Sequence, residues 1–185
     1  SSQANKERDE MTKLLSFRGQ ITVADNARST DNNIFTYTSP DLTRAWKVES
    51  FYLWPKSVRA EIGTADGQFQ ISASLATDTI GSAAFDDVMS VEDNRQIGWI
   101  SKGYNLRAAS SDFITSPTGL EDNQAIVDPD HIVNRNLFIN FYSTSDSSTS
   151  PARDYNYLLI LREVKVSESE AILQMVKGVA QDIIN

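Results

Sequence analysis

The chain has 185 residues, with 17 basic and 25 acidic side chains, one histidine and no cysteine. That length fits a single domain able to bury roughly 70% of its unfolded surface, so folding needs neither disulfides nor a structural metal. The missing thiols exclude disulfide frameworks, cysteine-ligated zinc and thiol nucleophiles, and a formal charge of −8 argues against a dedicated nucleic-acid binder or a basic membrane-surface helix.

Residues 1–16 read as an N-terminal arm. The chain starts Ser1-Ser2-Gln3 without a methionine, and no charged segment followed by an apolar one marks a retained signal peptide. Within QANKERDEMTKLL, residues 3–15, Lys6, Arg8 and Lys13 are balanced by Glu7, Asp9 and Glu10. A neutral arm lacks the uncompensated cations that direct nucleic-acid binding requires. Met11, Leu14 and Leu15 make a small apolar patch at helical spacing, a candidate subunit contact.

Residues 17–166 read as strands. Phe69, Ile71, Ala73 and Leu75 alternate with Gln68, Gln70, Ser72 and Ser74, the pattern of a half-buried strand with one wetted side. Trp46, Val48, Tyr52 and Trp54 fall at even spacing in RAWKVESFYLW, with Phe51 and Leu53 opposite. Two later runs, 137–142 and 157–161, are apolar on both faces, as in the middle of a sandwich or under a helix. Weaker strands are expected at 17–24, 34–38, 96–101 and around 104–108, about eight in all. Turn-forming clusters separate them, among them Asp25-Asn26, Ser39-Pro40-Asp41 and Ala65-Asp66-Gly67. The class expected is all-β, an antiparallel β-sandwich or barrel. Residues 82–92 suit a helical turn or two inside a connection, and the long loop at 110–130 is of the kind that makes contacts or moves.

Chemistry is scarce. No P-loop, GxGxxG, HExxH or GxSxG occurs. His131 is the sole histidine, in the turn Asp128-Pro129-Asp130-His131. A polar turn that starts a strand is the plain reading, with a metal site or catalysis as the alternatives. Asp86-Asp87 and Glu92-Asp93 flank Phe85, Val88 and Met89. Neighbouring carboxylates can act as acid and base, but on adjacent positions solvated or capping roles fit better. The acidic loops 86–93 and 121–130 leave calcium open without EF-hand spacing. Trp46, Trp54, Trp99, Tyr52 and Tyr104 serve as core anchors or, where two lie exposed side by side, as a carbohydrate-stacking platform. No cofactor, metal or catalytic residue is assigned.

Residues 167–185 read as a C-terminal amphipathic helix. Ser167 and Glu170 have capping-box spacing, and Ile172, Met175, Val176, Val179 and Ile183 share one face. That face covers the chain's own sheet or packs on a partner subunit. No segment has the ~20 apolar residues of a membrane-spanning helix.

The neutral arm, WKVESFYLWP early, IVDPDHIVNRNLFINFY late and a last strand running into SESEAILQMVKG resemble jelly-roll capsid or virion structural proteins of small, non-tailed, marine-type environmental viruses. The resemblance lies in layout across 17–184 and transfers no functional residue. It implies a capsid or other virion shell subunit that assembles with copies of itself and with other virion proteins through loops and termini. The departure is the absent basic arm, which leaves a shell relying on other basic proteins, a capsid over an internal membrane, or a decoration or spike protein. The competing reading is a β-sandwich ligand-binding module, lectin-like or an adhesin domain, extracellular or at a cell surface.

Overall fold

Alternation in burial builds two sheets. The computed structural model of the chain describes residues 13–24, 26–56, 68–81, 84–105, 125–145 and 152–184. Its strands are β1 (Leu14–Val23), β2 (Ala27–Thr36), β3 (Arg44–Pro55), β4 (Gln68–Ala76), β5 (Gln96–Asn105), β6 (Ile126–Val127), β7 (Asn136–Ser145) and β8 (Arg153–Lys165), followed by helix α1 (Glu168–Ile184). One sheet has the order β1-β8-β3 and the other β2-β7-β4-β5-β6, and every pairing is antiparallel.

This strand order is that of a long antiparallel hairpin folded over on itself. First pairs with last, second with seventh and fourth with fifth, while β8 also pairs with β3 and β7 with β4. A jelly roll completes the set by joining the sixth strand to the third. Here β6 itself lies beside β5, through Gly98–Val127 and Trp99–Ile126, and the chain then crosses to the other sheet. There Trp46 and Val133 exchange backbone hydrogen bonds of 2.9 and 2.8 Å. The described residues therefore form an eight-stranded β-sandwich with jelly-roll strand order.

The facing sides of both sheets make one core, in which Ile71, Leu75, Leu137, Ile139, Phe141, Leu159 and Leu161 are buried. At about 25 cal/mol per Å² of apolar surface removed from water, such a cluster is the main stabilising term. Gly19 sits under Tyr157 on the neighbouring strand, and a Cβ there would fall 2.5 Å from the phenol oxygen. Any side chain at that position displaces the tyrosine.

Several sequence expectations are corrected. Ser72 and Ser74, placed on a wetted face, are completely buried. The described part of the 77–95 connection folds over the outer side of the five-stranded sheet. A 3-10 turn at Phe85–Asp87 sets Phe85 edge-on against Tyr142, and Val88 is fully buried. The even spacing of Trp46, Val48, Tyr52 and Trp54 also does not persist in space. A β-bulge between Val48 and Ser50 inserts one residue, so Trp46 and Val48 point into the core while Tyr52 and Trp54 point out. One extra residue inverts every side chain beyond it.

Strand β1 begins at Leu14, inside the stretch 1–16 expected to be an arm. Strand β6 falls within the long expected loop, and β5 runs unbroken from the strand expected at 96–101 into the one expected around 104–108, as far as Asn105.

Candidate functional site

Four features outside the core gather polar or exposed apolar side chains: the β6–β7 turn, the β4–β5 connection, the outer face of the three-stranded sheet, and α1.

In the turn, Asp128, Pro129 and Asp130 deliver His131 to the bulge of β3. His131 is 4% exposed and uses both ring nitrogens: Nδ1–H donates to the Asp128 carbonyl, and Nε2 accepts the Val48 N–H at 2.8 Å. Val48 sits where the ladder to β8 is interrupted, so the imidazole replaces a missing strand acceptor. The ring is neutral in this role. Burial depresses its pKa below the usual 6.5, opposed by the Asp128 carbonyl hydrogen bond, while the Lys47 charge depresses it further and the Asp128 and Asp130 carboxylates oppose that. With neither nitrogen available, His131 serves as a structural pin. Among the described residues no group of three or more histidine or acidic side chains is arranged to hold a metal ion. The candidate calcium segment 121–130 lies in part outside the described residues.

In the connection, Asp93 is buried instead of solvated. Its carboxylate grips Arg95 through Nε at 2.9 Å and Nη2 at 2.8 Å, and also accepts the Arg95 N–H. Arg95 in turn donates to the Thr79 carbonyl. Asp31, with a φ of 59° at an irregularity in β2, accepts the N–H groups of Ile80 and Gly81 at 2.8 and 3.0 Å. Both carboxylates tie the covering segment down, whereas Asp86 and Asp87 are exposed at the start of the 3-10 turn.

On the outer face of the three-stranded sheet, Tyr52 and Trp54 project side by side, 40% and 38% exposed. Their cross-strand partners on β8 are Leu158 and Asn156. Polar pairs surround them: Gln20 donates to Asn156, Thr22 to Asp154, and Arg162 bridges to Glu49 at 3.1 Å. The other aromatics are elsewhere. Trp46 is buried with Phe35 and Tyr37 edge-on to it, and Trp99 is half-buried, its Nε1 donating to Gln96. Tyr104 is in β5, its side chain outside the described residues.

Helix α1 starts where Ser167 Oγ accepts the Glu170 N–H at 3.2 Å, as its spacing predicts. It touches the body through Ala171, which is fully buried and whose carbonyl accepts from Asn134. The body leaves the apolar stripe uncovered: Ile172, Met175, Val176 and Val179 are 51%, 44%, 56% and 58% exposed, Met175 and Val179 at the edge of a groove that the body also lines. The expectation that this face covers the chain's own sheet is corrected, because all four remain about half exposed while the docked Ala171 sits at the edge of the stripe, one turn before Met175. Ile183 is in the helix, but its side chain lies outside the described residues, as does Met11. Leu14 is exposed on β1, whereas Leu15 packs against the core, so alternation parts the two and they form no common patch.

Sequence reasoning missed Val91 and Ile126, which are 77% and 73% exposed. They line the same groove of about 600 Å³ as Met175 and Val179, with Trp99 and Pro129. Single apolar residues in polar loops carry no periodic signal. Leu173, 55% exposed, was also missed, since it lies outside the spacing used to define the stripe.

The strand order defines a jelly-roll β-sandwich. Among solved structures the chain is similar to one of Desmodium yellow mottle tymovirus, with 11% identity, 84% of each chain covered and a TM-score of 0.33. No family model and no curated protein matches. No helix among the described residues is long and apolar enough to cross a membrane.

Proposed function

We propose that this chain is a viral structural protein, a single jelly-roll capsid or other virion shell subunit, working in the virion by association with copies of itself and with other virion proteins. The observation that carries this reading is the outward-facing apolar stripe of α1, on a body whose buried acidic and histidine side chains are occupied in holding loops. A shell sums many modest symmetric contacts, and it needs complementary patches more than a reaction centre. The proposal assigns no catalysis, no cofactor and no genome contact through the arm. Negative-stain microscopy of the purified protein is the direct test: closed or partial shells are expected, and isolated monomers at high concentration across salt and pH would reject the reading.

A second reading draws on Tyr52 and Trp54. Two neighbouring exposed aromatics ringed by hydrogen-bonding side chains suit stacking against a sugar, which makes a lectin-like or adhesin module the competing function. A glycan array decides it. Specific binding by a monomer, lost in Trp54→Ala, would favour this reading over the shell.

A further inference from the structure

We propose that α1 pairs across a two-fold axis with α1 of a second copy of this chain, the incoming helix also covering the groove between α1 and the Val91/Ile126 rim. This names the partner for one contact surface and rests on the self-association reading above.

The spacing of the stripe specifies a helix as the occupant. Ile172, Val176, Val179 and Ile183 follow one another at intervals of four, three and four residues. That is the a/d seam by which one helix receives the knobs of another. Such a seam is narrower than the stripe of a helix lying on a sheet. Among the described residues the chain has one α-helix, so a like partner is supplied by a second copy. The seam itself carries no charge, and Lys177 lines the groove together with Asp78, Asp128 and Asp130, so the margin of the contact holds charges of both signs.

Area points the same way. Ile172, Leu173, Met175, Val176 and Val179 with Val91 and Ile126 are each 44–77% exposed. Together they present on the order of 500 Å² of apolar surface, near the most that a monomer leaves uncovered. Two such patches face to face bury about 1,000 Å², the threshold of a specific interface. The seam alone falls short of that, and so the groove rim belongs to the contact. An antiparallel arrangement fits a two-fold axis perpendicular to the helices, sets Val176 opposite Val179, and brings opposite ends of the two helix dipoles together.

The test is sedimentation of the full chain over a concentration series, with the same samples examined by microscopy. The wild-type protein is expected to sediment as dimers or as assemblies built from them. Val176→Asp should weaken the association roughly 100-fold and Ile126→Lys roughly 10-fold. Both positions are more than half exposed, so the circular dichroism spectrum and melting temperature of the monomer should persist. Because the chain has no cysteine, the double variant Val176→Cys/Val179→Cys supplies the only thiols, set opposite each other across the axis, and mild oxidation should link two copies. The pairing is overturned if wild-type protein is monomeric, if Val176→Asp associates like wild type, or if the Val176→Cys/Val179→Cys variant gives no linked dimer while the copies associate. Dimers without shells leave the helix pairing standing and sink the shell reading. Shells formed unchanged by Val176→Asp do the reverse.

Discussion

The ring of His131 does for β3 what a neighbouring strand's carbonyl does elsewhere in the sheet. A neutral imidazole accepts the Val48 N–H; an imidazolium presents a second donor to it. Since the folded pKa lies below the ordinary 6.5, the contribution of His131 is complete above pH 6.5 and is lost as the pH falls from there through the folded value. Thermal unfolding followed from pH 7.5 to 5 should show this decline, and His131→Ala should remove it at a cost of about 1–3 kcal/mol for the orphaned amide. Lys102 behaves differently. Desolvation lowers its pKa from 10.5 to about 8, so the protonated side chain opposes folding at neutral pH and stability rises as pH climbs from about 8 toward 10.5. Lys102→Met should unfold at a higher temperature at pH 7 and show no such rise. Ser74 Oγ is buried without a hydrogen-bond partner, and Ser74→Ala is expected to raise stability by up to about 1 kcal/mol in denaturant titrations.

At the scale of elements, the 77–95 connection is held by charge and not by regular structure. Removing one member of the buried Asp93–Arg95 pair strands the other, so Asp93→Ala should cost about 3–5 kcal/mol in chemical denaturation. The same element shows how far the residues alone carried. Strands β3, β4, β7 and β8 were legible because apolar residues recur at period two or run continuously through a sandwich interior. The face presented by half of β3 was not, because the bulge after Val48 leaves no composition signal and inverts everything following it. The wetted side assigned to β4 failed for a related reason. Alternation reports which side chains are polar, and a distant loop decides whether water reaches them; Ser72 and Ser74 lie beneath such a loop. For α1, periodicity identified the apolar stripe and said nothing about its direction, which Ala171 settles by being the residue that docks. The role of His131 as a pin needed the tertiary approach of its turn to β3.

For the whole molecule, a charge of −8 on every copy opposes association over a Debye length of about 10 Å at 0.1 M salt, while the proposed contact is apolar. Raising sodium chloride from about 50 to 500 mM should therefore strengthen self-association, and equilibrium sedimentation at the two concentrations measures the change. A contact held by surface ion pairs would weaken instead. The acidic balance thus acts on when copies meet, and the stripe on where.

The crossing between β6 and β7 carries a further consequence. The chain lies against one sheet at Val127 and is tied to the other at Val133 six residues later, through the reciprocal pair with Trp46. The two sheets are thus stitched along that margin as well as packed through the core. Deuterium exchange at the Trp46 and Val133 amides then reports the parting of this margin, a local event with its own free energy. If subunits deform as a shell closes, these two amides will register it, while the amides of Leu159 and Leu161 in the central strand β8 stay dark.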